Sequence, residues 1–164
     1  MGLLSADHMP RGIVAITQNL ATTTSIGDTE TVVYQLPFTA APKRIYRVHL
    51  QIFAADTDGV GDNANANIRY AKNSMNIRCR WASGSSVTAS GTLIGEHRVT
   101  VFDDDSSTAS GADVAFYLLN PPRGQVTVGI TLNTARAAAT YGMVRVLPGS
   151  LSYFAVEDVG PHSE

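Results

Sequence analysis

The sequence predicts an all-β fold, a β-sandwich of jelly-roll type with about eight to ten antiparallel strands. Apolar and polar residues alternate with a period of two in four stretches, and almost nothing repeats at the helical period of 3.6. Turn-forming residues separate such stretches about every 8 to 12 residues. The four alternating stretches are Tyr46–Ile52, Met75–Trp81, Val114–Leu119 and Val126–Leu132. Each strand then has one face that must be covered, which indicates two packed layers.

The strand pattern extends along most of the chain. Pro37 cannot donate to a ladder and places its strand at a sheet edge, and Gly95 predicts a bulge. Residues 134–140, rich in alanine, predict at most one helical turn, and the last two strands are expected to form a hairpin. The predicted strands are Gly12–Thr17, Thr29–Phe38, Arg44–Ala54, Ser74–Ala82, Thr92–Phe102, Asp113–Leu119, Gln125–Asn133, Gly142–Leu147 and Leu151–Val159, with Asn67–Lys72 a short strand or turn.

A chain of 164 residues fits one domain with a single core. We expect an irregular arm over residues 1–11, one sandwich domain over 12–160 and a tail over 161–164. Met9 is an alternative start to Met1. Residues 2–8 lack the basic and apolar regions of a signal peptide, and no stretch approaches the ~20 apolar residues of a membrane span. Membrane insertion is therefore not expected.

The chain is lightly charged for a protein that must stay soluble alone. Charged residues make up 16% of it, with a net charge of −2, against a typical ~25%. Ten of its twelve basic residues are arginine, the cation favoured at interfaces because its planar group satisfies several acceptors. These features predict a surface partly covered by partners and give no electrostatic drive toward nucleic acid.

No metal site or cofactor is expected. The single cysteine, Cys79, excludes an internal disulfide and a multi-thiolate metal site, and its apolar neighbours predict a buried side chain. Asp56–Asn63 superficially resembles a calcium loop, but Val60 occupies a ligand position and Asn67 stands where the loop needs a glutamate. Asp103–Asp105 is predicted to be a surface loop, since adjacent residues on a strand point to opposite faces.

The sequence shows no recognisable catalytic motif, so we predict that the chain is not an enzyme and has no catalytic residues. The sequence contains no G-x-S-x-G elbow, H-E-x-x-H helix, phosphate-binding loop or dinucleotide fingerprint. Its histidines are His8, His49, His97 and His162. His49 and His97 lie on predicted polar strand faces, where each is expected to pair with a carboxylate.

Two groups of residues could form binding surfaces, one for nucleic acid and one for carbohydrate. Basic and aromatic residues cluster as in a platform for single-stranded nucleic acid, but Trp81 shares its strand face with apolar residues while Arg78 and Arg80 point the other way, which favours a core with interfacial arginines. The other members of that cluster are Arg69 and Tyr70. A second set of tyrosines leaves carbohydrate binding open: Tyr117, Tyr141 and Tyr153.

Four parts of the sequence carry a resemblance: Met9–Ala15, Phe38–Ala40 leading into Arg44–Val48, Ile77–Ala82 and Val156–Pro161. Together they resemble the small β-rich virion proteins, usually called minor tail proteins, of tailed phages that infect actinobacteria. The resemblance implies a structural or host-attachment role in the virion, in a homo-oligomer with a trimer favoured, alongside other phage virion proteins. The alternatives are a capsid-decorating protein and a carbohydrate-binding module that recognises a host surface glycan.

Overall fold

Nine strands make up the fold of the residues that the structure describes. The computed structural model describes residues 9–58, 72–102, 110–136 and 141–162. The strands are β1 Gly12–Gln18, β2 Thr31–Ala40, β3 Arg44–Asp58, β4 Lys72–Ser83, β5 Thr92–Phe102, β6 Ser110–Leu119, β7 Gly124–Ala135, β8 Met143–Leu147 and β9 Tyr153–Pro161. The predicted all-β class and strand number are confirmed.

The strands form two antiparallel sheets with jelly-roll connectivity. Sheet 1 has the order β1-β9-β3-β6, with β8 also paired to β3, and sheet 2 has the order β2-β7-β4-β5. The pairings are nested, because β1 pairs with β9, β2 with β7, β3 with β6 and β4 with β5. A long hairpin rolled on itself produces this nesting. The pairing of β3 with β9 joins the strands of sheet 1, and the pairing of β4 with β7 joins those of sheet 2.

The core lies between the sheets and consists of the inward residues of the alternating stretches. Val48, Leu50 and Ile52 of β3, in sheet 1, and Met75 and Ile77 of β4, in sheet 2, are all buried in one cluster. Burying a side chain of this size stabilises the fold by about 1.5–3 kcal/mol. Other large, fully buried residues include Tyr46, Val101, Val126, Val128, Ile130, Leu132, Val144 and Phe154.

Cys79 belongs to this core, as its neighbours predict, and it is fully buried. Burial raises the pKa of its thiol, so the reactive thiolate is suppressed. We expect no reaction of the native protein with a thiol reagent at pH 8, and one equivalent to react in denaturant. Rapid labelling of the native protein, followed by mass spectrometry, would contradict this placement.

The final two strands do not form the predicted hairpin. Both pair antiparallel with β3, β9 along Arg44–Gln51 and β8 along Ala54–Asp58. They are two halves of one interrupted strand, separated where residues 148–152 loop out. Pro148 lacks an amide proton and Gly149 adopts a φ of +75°, so the ladder cannot continue through this segment.

The prediction of a helical turn over residues 134–140 is wrong for its first two residues, which lie in a strand. Thr134 and Ala135 are the last residues of β7 and pair with β4. The Thr134 hydroxyl donates to the Ile26 carbonyl and accepts from the Val144 amide, which ties this end of β7 to the adjoining chain. Residues 137–140 lie outside the described residues, as do 67–71, where a short strand or turn is predicted.

The edge and bulge predictions are confirmed. Pro37 lies in β2, which pairs with β7 alone among the described strands and forms an edge of sheet 2. The register between β4 and β5 shifts beside Gly95, between Cys79 and Arg80. At the C-terminus, β9 continues into the predicted tail, because Pro161 pairs with Arg44 and the His162 amide donates to the Lys43 carbonyl.

Candidate interaction surface

The outer face of sheet 1 brings together polar residues that the sequence places far apart. The alternation that buries Val48 and Leu50 turns Arg47 and His49 outward. Register then sets Glu157 beside Arg47. Asp113 lies on β6, the neighbouring strand on the other side of β3.

His49 links two side chains from different strands. Its Nε2 lies 2.5 Å from Asp113 Oδ1, and its Nδ1 lies 3.0 Å from the Tyr153 hydroxyl. Because a carboxylate only accepts, Nε2 carries the proton, and in the neutral ring Nδ1 accepts from the tyrosine. The expected pairing of His49 with a carboxylate is confirmed, whereas no described carboxylate forms an ion pair with the exposed His97.

A hollow of about 310 Å³ lies above this chain of hydrogen bonds, and we call it the polar hollow. Arg47 Nη2 lies 2.8 Å from Glu157 Oε2 at its side. The hollow is lined by Ile13, Ile16, Gln18, Arg47, His49, Tyr153, Ala155 and Glu157. The charges of Arg47 and Glu157 are opposite in sign and neutralise each other, so the hollow favours an uncharged ligand or surface over an ion.

The order carboxylate, imidazole and hydroxyl is that of a hydrolytic triad, with a phenol in the position of serine. Tyr153 and Asp113 hold the His49 ring from both sides, and the Tyr153 ring meets it edge-on at 5.1 Å between centroids. These contacts hold the imidazole ring in one orientation on the outer face of sheet 1. That the chain is not an enzyme stays a prediction.

Sheet 2 carries an ion network on its outer face instead. Arg80 Nε lies 2.5 Å from Glu30 Oε1, Arg78 Nη1 lies 3.1 Å from Glu30 Oε2, and Arg78 Nε lies 2.5 Å from Glu96 Oε2. Trp81 instead packs against the core. The arginines are therefore neutralised on one face and the indole lies on the other, as the alternation predicts. Arg69 and Tyr70 lie outside the described residues.

Glu30 makes stability depend on pH in a predictable direction. Hydrogen bonds from Arg80 above all, then from Thr131, hold the pKa of Glu30 below its ordinary value of 4.5, although burial opposes them. The carboxylate therefore stabilises the fold above pH 4.5, and this contribution is lost as the pH falls through the lowered pKa of the folded state. We expect Glu30→Gln to lower the free energy of unfolding by about 1.5–3 kcal/mol at pH 7 and by much less at pH 3, measured by urea denaturation. An equal loss at both pH values would contradict this role.

The acidic clusters do not assemble into a site within the described residues. Asp56, the first residue of the calcium-like loop, is buried and pairs with Arg145 at 3.1 Å. Residues 59–63, Asn67 and 103–105 lie outside the described residues, and so does His8. Among the residues that the structure describes, no group of three or more His, Cys, Asp or Glu is placed to hold a metal ion.

The three candidate sugar-binding tyrosines do not form one platform. Tyr117 is exposed and lies opposite Arg47, whereas Tyr153 lies opposite Gln51, four residues farther along β3. Tyr141 precedes β8, and its carbonyl accepts a hydrogen bond from the side-chain amide of Asn73 at the start of β4. Any carbohydrate contact would therefore rely on single tyrosines.

The structure contains a buried ion pair, next to the N-terminal arm, that the sequence did not predict. Arg44 and Asp158 are almost fully buried and 114 residues apart, and Arg44 Nη2 lies 2.5 Å from Asp158 Oδ1. Arg44 also donates to the Met9 carbonyl at 2.6 Å, and the Arg11 amide donates to the Asp158 carbonyl. The pair thus fixes the end of the predicted arm to the body. Only the long-range pairing of β3 with β9 reveals it.

Comparison with known proteins gives a family. A family model described as "Domain of unknown function (DUF7298)" matches residues 3–164. The chain belongs to the DUF7298 family. No curated protein matches it. No helix of the described residues has the length and apolarity needed to cross a membrane.

Two similar chains come from solved virus structures. One is titled "Structure of infectious bursal disease virus Gt strain", with 12% identity, a TM-score of 0.43, and 99% of this chain aligned to 42% of that one. The other is titled "Structure of infectious bursal disease virus Gx strain", with 10% identity, a TM-score of 0.37, and 93% of this chain aligned to 35% of that one. This DUF7298 chain spans less than half the length of either.

Proposed function

We propose that this chain is a structural subunit of a virion and assembles there with further copies of itself. The observation that carries the proposal is an asymmetry between the sheets. Ten large apolar side chains are exposed among the described residues, and eight of them lie on strands of sheet 1 or in the loop between β8 and β9. They are Ile13, Val14, Ile16, Phe53, Tyr117, Leu119, Met143 and Leu151.

Such a segregation is expected where one face is covered in the assembled state. Sheet 2 carries the network around Glu30 and only Leu93 as an exposed large apolar residue among those described. Exposed apolar side chains that concentrate on one side of a protein favour that side as an interaction surface. The proposal therefore takes sheet 1 as the interacting side and sheet 2 as the solvated side.

The filled interior also supports a role performed by surfaces. Jelly rolls serve as virus shell proteins, as lectins and as cupins, and a cupin-type role needs an internal site. Here the space between the sheets is occupied by side chains such as Met75, Ile77 and Phe154, each fully buried. This filling of the described interior supports the proposal that the chain acts through its outer faces, in binding or assembly.

The finer proposal is a component of the tail or tail tip of a tailed phage that infects actinobacteria, with a capsid-decorating protein as a variant. It rests on the resemblance carried by Met9–Ala15, Ile77–Ala82 and Val156–Pro161. Three copies per assembly is the number that this resemblance favours.

The experiment is incorporation into particles of the encoding phage. We expect the chain in purified virions by mass spectrometry, and Leu119→Asp, on the outer face of sheet 1, to reduce its incorporation at least tenfold. Leu93→Asp is the matched control, because it makes the same change on sheet 2 and should leave incorporation unchanged. Absence of the wild-type chain from particles, or equal incorporation of both variants, would overturn the proposal.

The polar hollow favours a second candidate function, recognition of a neutral host glycan. Its paired Arg47 and Glu157 offer donors and acceptors to sugar hydroxyls, and Ile13 and Ile16 offer apolar contact to ring C–H groups. Calorimetry with host cell-wall polysaccharide tests it. If the chain binds such a glycan, we expect saturable binding that Glu157→Gln weakens at least fivefold. Absence of binding at millimolar sugar would rule out this second function.

A further inference from the structure

We propose that the polar hollow on the outer face of sheet 1 recognises an acetamido group, so that its ligand is an N-acetylated sugar. The inference rests on the second candidate function, glycan recognition, and deepens it by naming the class of sugar. The exposed apolar residues that do not line the hollow stay available for contacts between copies: Phe53, Tyr117, Leu119, Met143 and Leu151.

The hollow exists because a small residue of β9 lies at its centre. Ala155 lies between Tyr153 and Glu157, and all three point to the same face of the strand. Register places Ile16 of β1 on one side of Ala155 and His49 of β3 on the other. The methyl group of Ala155 therefore forms the floor, and the larger side chains around it form the walls.

The walls on opposite sides of Ala155 differ in what they offer a ligand. Asp113 fixes the proton of His49 on Nε2, so the Tyr153 hydroxyl donates its own proton to Nδ1 at 3.0 Å. The Tyr153 oxygen then keeps only lone pairs and can only accept from a ligand. Arg47 can only donate, and Glu157, at 2.8 Å, occupies one of its several N–H donors.

A trans secondary amide fits this arrangement. Its carbonyl and its N–H point in opposite directions in one plane, so the carbonyl can accept from Arg47 while the N–H donates to Tyr153. The methyl of an acetyl group then contacts the apolar wall formed by Ile13 and Ile16. A hydroxyl offers its donor and acceptor at a single oxygen and gives the isoleucines no methyl group.

The size of the hollow favours a sugar as the carrier of the amide. Its volume of about 310 Å³ is about twice that of a cavity that holds benzene, about 150 Å³. An acetamido group has fewer heavy atoms than benzene, so space remains for the pyranose ring to which it is attached. Gln18 and Glu157 border the hollow and supply polar groups for the ring hydroxyls.

The test is a titration of the full chain, followed by nuclear magnetic resonance, with N-acetylglucosamine, glucose and N-methylacetamide. We expect N-acetylglucosamine to bind at least tenfold more tightly than glucose, because a site built to hydrogen-bond a group rejects an analogue that lacks it. N-methylacetamide, which lacks the sugar ring, should also bind at least tenfold more weakly. Equal affinity for N-acetylglucosamine and either of the other two ligands would overturn the inference.

Two variants and a matched control locate the binding. Tyr153→Phe should abolish the preference for N-acetylglucosamine over glucose, because it removes the acceptor and keeps the ring. Ala155→Leu should fill the hollow and weaken the binding of both sugars at least tenfold. Ala115→Leu makes the same change at an exposed position of β6, opposite His49 and outside the hollow, and should bind like wild type. A preference that survives Tyr153→Phe, or normal binding by Ala155→Leu, would contradict the assignment.

The inference and glycan recognition can fail separately. Host polysaccharide that binds the chain, together with equal affinity for the two sugars, would overturn the acetamido preference and leave glycan recognition standing. A tenfold preference for N-acetylglucosamine without binding of the polysaccharide would support the acetamido site and remove host recognition. The circular dichroism spectrum of each variant checks that it folds.

Discussion

Replacing Asp158 with asparagine is expected to lower the free energy of unfolding by about 3–5 kcal/mol, a large part of the 5–15 kcal/mol typical of a domain. The change keeps the side-chain size but removes the negative charge, and Arg44 is left buried without its counter-charge. The Arg44 Nε also lies 2.9 Å from Asp158 Oδ2, and the Gly160 amide donates to Oδ1 at 3.1 Å. Urea denaturation followed by the fluorescence of Trp81 measures the loss.

The neighbouring Glu157→Gln is the matched control. Its carboxylate pairs with Arg47 at 2.8 Å, but both side chains are about one third or more exposed, and ion pairs of this kind contribute about 0–1 kcal/mol. Equal unfolding midpoints for the two variants would show that the Arg44–Asp158 pair does not anchor the structure.

Replacing Phe154 with alanine is expected to cost about 3–5 kcal/mol. Phe154 is fully buried on β9, where it pairs with Leu50 of β3 and Thr17 of β1. Its removal leaves a cavity at the junction of three strands, and the surrounding sheet can close it only in part.

Phe53→Ala supplies the comparison, because Phe53 is 77% exposed. We expect it to change stability by less than about 0.5 kcal/mol, as surface substitutions usually do. Thermal unfolding of both variants measures the contrast. A loss at Phe53 as large as the loss at Phe154 would mean that the exposed face of sheet 1 is part of the core of the single chain.

Local alternation was sufficient to predict most strands. The apolar positions of Tyr46–Ile52 and Met75–Cys79 are the buried ones, because a strand between two layers has only one covered face. The same alternation correctly separated Trp81 from Arg78 and Arg80. Pro37 correctly predicted a sheet edge and Gly95 a bulge, because the missing amide proton of proline and the missing side chain of glycine act at the residue itself.

The failures all concern pairing between distant segments. The last two strands read as a hairpin because a Pro-Gly turn lies between them, yet both continue along β3, whose length only the folded sheet reveals. Residues 134 and 135 read as helical from their composition, but pairing with β4 decides their conformation. Local propensity yields to such tertiary contacts.

The candidate surfaces were predictable only in part for the same reason. A carboxylate partner for His49 was expected from its polar strand face, but that it is Asp113 depends on the neighbouring positions of β3 and β6. Glu30 gives no signal in the sequence, since its partners lie 48 and 50 residues away. The segregation of exposed apolar residues to sheet 1 required the strand order of both sheets.

The most direct test of the proposed structural role is a cryo-electron microscopy map of the intact virion into which we propose that this chain assembles. The account predicts density for this jelly roll in more than one copy, with the outer face of sheet 1 covered by neighbouring protein and the Glu30 network of sheet 2 facing solvent. Particles without such density, or with sheet 1 exposed and sheet 2 buried, would contradict it.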